Sequence, residues 1–395
     1  VVKNHIHLFA IIYNPYTLMK FSVILSTWSL LVVSSGLEIK TCADMKTVFD
    51  RANLEDTHAT MYPFANILCD NFTTFTLSNY MLNISSTDNL DNFYGDSNLH
   101  NVRLEVVDGG KLTWETRIDF RNKDSEIKLH NVSGGAVYVG QGSSVSFLNG
   151  FKTTNIGVRS MTDESSDFSS EILEGGCVYN NGDFRVDGPT NMVNCESSGG
   201  GESGAGDGGA FYNDVNGTII LNGTVAISDV SITDDEGGKG GAFYNLGKVT
   251  INGDSDFTNL FAESAGAIYN GEGSVFRFKN GATAVFNNVR ASDGISGGIV
   301  NNGVFKFSGP ALFLKASSDY RASSIYVGST GLLKMKKDTV FFKNTCSEPN
   351  CSTVYVATGG SLKFHKNVKF IGSSSRYGEI VCEGIFFEEY SKCET

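Results

Sequence analysis

Eight four-residue segments carry the same alternation of apolar and polar positions: "SVSF", "DFRV", "TIIL", "KVTI", "VFRF", "VFKF", "LLKM" and "SLKF". The apolar pairs run Val145/Phe147, Phe184/Val186, Ile219/Leu221, Val249/Ile251, Phe276/Phe278, Phe305/Phe307, Leu333/Met335 and Leu362/Phe364. Between them stand Ser146, Arg185, Thr250, Arg277, Lys306, Lys334 and Lys363, with Ile220 the apolar exception. A period of two with one polar face predicts half-buried strands. The first six follow a stretch that opens on small residues, glycine above all. "GGAFYN" occurs at 208 and 240, with looser copies "GGAVYV" at 134, "GGCVYN" at 175, "AGAIYN" at 265 and "GGIVNN" at 297. A third strand follows the alternating one, as in "TVAIS", "SDFTN", "AVFNN", "ALFLK", "VFFKN" and "VKFIG".

With the second glycine or its equivalent as marker, the repeat falls at Gly135, Gly176, Gly209, Gly241, Gly266, Gly298, Ser324 and Thr353. Three short strands per repeat, without a helical period, exclude long-stranded sandwiches and four-stranded propeller blades. The pattern predicts an all-β, single-stranded right-handed parallel β-helix of about 9–11 coils, successive coils stacking at about 4.8 Å. The paired glycines then sit where the chain turns a corner. At the marker-plus-one and marker-plus-three positions, Ala with Tyr exchanges for Ile with Asn or Val, and for Val with Val. That rough volume balance places Ala136, Ala210, Ala242 and Ala267 inward together with Tyr138, Tyr179, Tyr212, Tyr244 and Tyr269. It leaves Val137, Val178, Phe211, Phe243, Ile268, Val300, Tyr326 and Tyr355 outside as an apolar stripe.

"GGAFYN", "GGAVYV" and "AGAIYN", interleaved with "FFKN" at 341 and "FHKN" at 364, resemble the GGA-I and F-x-x-N repeats of polymorphic outer membrane proteins. The resemblance spans about residues 130–370. It implies a pectin-lyase-like right-handed β-helix and a surface or adhesive role. The chain departs from that family in lacking a C-terminal barrel pattern, and its last F-x-x-N motifs lack a preceding GGA.

The flanks read differently. Residues 1–18 read as upstream of an initiator at Met19, and 19–36 as a secretory signal peptide: one Lys, a short apolar run and a small-residue exit. The alternative, a membrane anchor, would need a longer run. Residues 37–130 are expected to form an N-terminal cap, with "DMKTVFDRANL" as a short amphipathic helix, and irregular early coils. Residues 131–378 form the regular repeats, and 379–395 a last coil and tail. Eight cysteines, an even number, fit an oxidising compartment. Proximity favours the pairs Cys42–Cys69, Cys177–Cys195, Cys346–Cys351 and Cys382–Cys393, with free buried thiols the alternative for Cys177 and Cys195. Sequons begin at Asn71, Asn83, Asn131, Asn216, Asn222 and Asn350. Signal, cysteines and sequons together predict a secreted or cell-surface glycoprotein.

The chemistry expected of an enzyme is thin. The only Asp-Asp, Asp234-Asp235, lies in a turn, and no Gly-His-Gly occurs. His58, His100, His130 and His365 have no second His or Cys at ligand spacing. No catalytic residue, metal or cofactor is expected. A net charge of −12 excludes a general affinity for nucleic acid. The acidic connections "RSMTDESSDFSSEILEGG", "CESSGGGESGAGDGG" and "SDVSITDDEGGKGG" leave one corner, either as a calcium-binding edge or as solvated loops. Arg277, Lys306, Lys334 and Lys363 occupy one outward position in four successive coils, and Lys315, Lys343 and Lys369 add charge on the third strands. Such a row either keeps the face soluble or binds a polyanion. The reading is a non-catalytic extracellular protein acting in adhesion or in binding anionic polysaccharide or another matrix component. A polysaccharide-active enzyme of the pectin-lyase-like fold and a purely structural extracellular protein are the alternatives.

Overall fold

The computed structural model describes residues 37–61, 65–86, 96–122, 129–130, 133–159, 174–198, 206–232, 238–292, 294–348, 351–374 and 378–383. The segments expected upstream of Met19 and as a signal peptide lie outside these residues. So do Asn131, Asn350, Cys393 and Asp234-Asp235. The chain divides by contact into residues 1–36 and 37–395, and all described residues belong to the second unit.

It is an all-β parallel solenoid of about nine turns. Among the described residues the second strands of the coils form one sheet of twelve, all in parallel. It begins at Leu37–Ile39 and ends at Ser361–Phe364. First and third strands form a second, larger sheet. The alternating pairs register as the sequence implies. Phe276 lies beside Phe305, and Phe305 beside Leu333. All of Val145, Phe147, Phe184, Val186, Ile219, Leu221, Phe305 and Phe307 are buried.

Stacking of like on like fills the interior. Phe257, Phe286, Phe313, Phe341 and Phe370 form one column with ring centroids 4.9, 4.7, 5.1 and 4.8 Å apart. Each such contact adds about 0.5–1.5 kcal/mol to the burial of the rings themselves. Helix α1, Cys42–Ala52, closes the N-terminal end. Thr41 and Asp44 form a reciprocal capping box. Met45, Val48, Phe49 and Ala52 turn inward, with Phe49 5.4 Å from Phe75. The expected capping helix is therefore present, beginning two residues earlier than "DMKTVFDRANL".

The first strand corrects the sequence reading. Val137, Val178, Phe211, Phe243 and Ile268 point into the core and are fully buried. Tyr138, Tyr179, Tyr212, Tyr244 and Tyr269 are outside, stacked ring on ring at 4.8, 5.3, 5.0 and 4.8 Å. The cause is a one-residue slip. Ile268 pairs with Ile299, so Gly297 is the counterpart of Gly266. The markers Gly298, Ser324 and Thr353 therefore share the row of Ala267. A shift of one exchanges the faces of a strand. For the later coils the expectation holds: Ile299, Ile325 and Val354 are in the core, while Val300, Tyr326 and Tyr355 join a separate outer cluster.

The glycine pair is explained by two different demands. Gly134, Gly175, Gly208 and Gly240 adopt left-handed φ between 69° and 75°. A side chain at Gly176 would overlap the carbonyl oxygens of Gly209 and Glu196. The first glycine thus makes the corner and the second lets the next coil approach.

Third strands are longer than their sequence pattern suggested. Thr190–Ser198 and Val225–Ile232 extend into segments that read as acidic loops. They pass a left-handed residue mid-strand: Asn155, Asn194, Asp229, Asn259 and Asn288, with φ of 54–57°. Asn and Asp tolerate that conformation better than other side chains. The side chains also bond along the stack, Asn259 donating to Asp229 at 2.9 Å and Asn288 to Asn259 at 2.8 Å.

Three expected disulfides are present. Cα separations are 5.4 Å for Cys42–Cys69, 5.7 Å for Cys177–Cys195 and 5.8 Å for Cys346–Cys351. Cys177 and Cys195 are both bridged and buried, which removes the free-thiol alternative. Cys382 is also cross-linked.

Candidate binding face

The second-strand sheet brings the expected basic row together. Arg277 registers with Lys306, Lys306 with Lys334, and Lys334 with Lys363. Strand alternation fixes their direction, because Phe276, Phe278, Phe305, Phe307, Leu333, Met335 and Leu362 take the inward positions. Neighbouring charges are therefore about one coil rise, 4.8 Å, apart. Beside them on the same face run Val275, Val304 and Leu332, half-buried and also in register. Among the described residues none of the four cations has an ion pair. Burial and the charges of Arg277, Lys334 and Lys336 hold the Lys306 ammonium below the usual lysine range. The row works against itself.

Lys315, Lys343 and Lys369 are exposed on the third strands, as expected. Lys315 and Lys343 occupy neighbouring corners, whereas Lys369 registers with Val340 instead. The larger signal lies in plain charge counting. Residues 275–374 carry thirteen Lys and Arg against four Asp and Glu, a net charge of +9 within a chain of −12. The rest of the chain is therefore at −21.

The opposite sign gathers along the outer tyrosines. Tyr179 donates to Asp214 at 3.1 Å. Tyr212 bonds Glu174, and Tyr244 bonds Asp207. Glu174 and Asp207 occupy bridged positions of adjacent coils. Burial raises both carboxyls, Asp207 to about 7 even though Lys239 pulls the other way. Burial and these acids also raise the Tyr179, Tyr212 and Tyr244 hydroxyls far above the usual phenol range. The ladder is thus a hydrogen-bonded seam.

Inside the solenoid lies a feature that the sequence reading passed over. The last residue of the hexapeptide points inward as Asn180, Asn213, Asn245 and Asn270, and Asn301, the fifth residue of "GGIVNN", continues the row, all fully buried. Each Nδ2 donates to the Oδ1 of the next, at 2.7, 2.7, 2.7 and 2.8 Å. Alignment on these asparagines, in place of the glycines, gives the correct register through Asn301. Another buried polar cluster is the carboxylate of Asp119, held by Arg121 at 2.6 Å and Lys152 at 2.9 Å. Sequestered between two cations, it is part of the early coils' packing.

The sequons differ in availability. Asn71 and Asn216 are exposed. Asn83 is half-buried, its amide nitrogen beside His58 and Met81. The Asn222 amide is committed on both sides, donating to Asp187 at 2.5 Å and accepting from Asn252 at 2.6 Å. Of the histidines, His58 is exposed and His100 and His365 are half-buried. The side chain of His130 lies outside the description. Among the described residues no three His, Cys, Asp or Glu converge to hold a metal, and no helix is long and apolar enough to cross a membrane. The disulfides belong to an oxidising environment. In comparisons with protein-family models, curated proteins and solved structures, the chain matches none.

Proposed function

We propose that this chain is a secreted or cell-surface, non-catalytic solenoid. In this reading it binds an anionic polysaccharide, or another polyanionic matrix component, through the row Arg277, Lys306, Lys334 and Lys363. One observation carries this reading: four cations in register, without ion pairs among the described residues, on the basic quarter of an acidic chain. An extended polymer lying along the solenoid axis would meet one cation per coil, and its sugar rings would lie against Val275, Val304 and Leu332. Adhesion fits the same face, as does the likeness of the repeat to polymorphic outer membrane proteins. The exposed sequons Asn71 and Asn216 lie outside this basic region.

The test is retention on a sulfated-polysaccharide resin. Wild-type protein is expected to bind and to elute with moderate salt. The quadruple change of the row to Ser is expected to abolish retention. Unchanged retention of that variant would sink the proposal.

The enzyme alternative has one observation in its favour. Glu174 and Asp207 occupy bridged positions and burial raises both carboxyls, so either fits the acid of an acid–base pair on a glycosidic bond, in which the second carboxyl must be ionised. Release of oligosaccharides from acidic polysaccharides, lost in Glu174→Gln and Asp207→Asn, would select that reading. Binding without product selects the first.

A further inference from the structure

A second surface lies on the outer side of the third strands. Val285 registers with Leu312 and Leu312 with Val340; Leu314 registers with Phe342 and Phe342 with Ile371. These six side chains form one apolar strip across four coils, half-buried except Ile371, which is 46% exposed. The left-handed corner, mid-strand in the upstream coils, directly follows the strands Ala311–Leu314 and Thr339–Phe342. Upstream coils fill it with Asn or Asp, and three of those contacts are ladder bonds. Downstream it is Lys315 and Lys343, with φ of 54° and 53°. A lysine there bears the strain and offers no amide to the ladder. Lys343 lies over the Phe342 ring at 5.2 Å. Among the described residues neither lysine has an ion pair.

The complement of this surface is written on the same face of the same chain. Two and three coils upstream of Lys315 the exposed third-strand charges are acidic: Asp229, Asp254 and Asp256. Acidic coils and basic, apolar coils are thus arranged symmetrically about the strand Ala284–Ala291. A two-fold axis along that strand reverses coil order and keeps each row upon itself. It sets Asp229 of one copy opposite Lys343 of the other and Thr258 opposite Leu314, while Lys315 faces Asn259 and Asp256 faces Leu312, three residues along the strand from that lysine. The small side chains Ala226 and Ser228 come to face Val340 and Phe342. This is the self-complementary pattern of an isologous contact.

We propose that the chain self-associates through this face as an antiparallel two-fold dimer, with the Lys315 and Lys343 corners against the Asp229 and Asp256 coils of a second copy. The proposal does not depend on polysaccharide binding, which uses a different sheet. The face is small against the roughly 800 Å² per partner of a stable complex, so association is weak and salt-sensitive.

Sedimentation velocity on the full chain, over a range of concentrations at low and high salt, tests it. Wild-type protein is expected to show a monomer–dimer equilibrium that salt shifts toward monomer. Lys315→Glu with Lys343→Glu, or Asp229→Lys with Asp256→Lys, is expected to weaken dimerisation about tenfold or more. An equimolar mixture of the two reversed variants is expected to restore it. Phe342→Ser, which leaves every charge in place, is expected to weaken it as well. Circular dichroism establishes that each variant is folded. Monomer under all conditions overturns the proposal. So does a dimer indifferent to both reversals, or the absence of rescue on mixing. Lysine-dependent capture on phosphatidylserine vesicles, with no dimer in solution, would assign the face to a lipid surface instead.

Discussion

The five coils whose first strands end in Asn180, Asn213, Asn245, Asn270 and Asn301 differ sharply from those that follow. Backbone register continues unbroken from Asn301 to Val327 and Val356. What changes is how each row is satisfied. In the upstream coils, inner amides bond inner amides, corner amides bond corner residues, and three outer tyrosine hydroxyls bond acids of neighbouring coils. Toward the C-terminal coils each row changes in turn: the outer polar row becomes Arg277 and Lys306 in the last two of the five and Lys334 and Lys363 beyond them, the corner amide becomes Lys315 and then Lys343, and the inner amide becomes Val327 and Val356. The first region closes its polar groups within the molecule. The second leaves like charges side by side, an arrangement that costs stability unless something outside relieves it. Regularity in a solenoid therefore marks scaffold, and a change of row chemistry at constant register marks function.

This contrast can be broken most severely in the upstream coils. Asn245→Ala removes the acceptor of Asn213 and the donor to Asn270 in a fully buried column. The expected loss is about 3 kcal/mol, since the two buried amide–amide bonds and that from the Gly247 N–H go, while Asn213 keeps Gly217 and Asn270 keeps Ser274. A urea titration checks it, and a loss below about 1 kcal/mol would mean that the ladder is incidental.

A second test uses pH. Asp207 faces Glu174, Lys239 and Tyr244, and its folded pKa is raised from 3.8 to about 7. The fold therefore favours the protonated acid. The stability it contributes is present in acid and is lost as pH rises from the ordinary carboxylate range through about 7. Asp207→Asn should be more stable than wild type above neutral pH and converge with it near pH 4, the ordinary carboxylate range. Thermal melts across that window read the difference.

Two smaller effects sharpen the account of the corners. Ala265 takes the left-handed position, φ 61°, that glycine holds in four other coils. Ala265→Gly is expected to stabilise by about 1 kcal/mol. Lys315→Asn and Lys343→Asn place the upstream residue at the same strained corners. Each is expected to gain about 0.5 kcal/mol while weakening self-association. A gain in stability without a change in association would mean that the lysines serve no contact.

Much of the fold was legible because strand alternation is a local property. "VFRF" and "VFKF" state their own inward face, and the aligned cations between the phenylalanines followed directly. The first strand was harder to read. It has three residues, and in "GGIVNN" the glycines stand one place later in structural register than in "GGAFYN". Glycine is a poor anchor for alignment because turn and close approach both select it. Asn301 is a better one, because a buried amide has a single acceptable neighbour. The hydrogen bonds of Tyr212 and Tyr244 were not legible. Their acids reach them from other coils, at distances along the chain that no local pattern encodes.

The inner asparagine column also has a direction. Every Nδ2 looks toward the next coil, and the last, on Asn301, ends without an acceptor among the described residues. Nothing in an individual coil marks it as the fifth of five. Cross-section and length are therefore separate variables in this molecule: residue identity at each row sets the first, and the number of copies alone sets the second. A unit such as residues 214–245, copied in tandem, brings its own corner glycines, inner amide and outer tyrosine. Such a chain can lengthen by duplication without redesigning its interior, and the reach of its far surface becomes a quantity that evolution adjusts by counting.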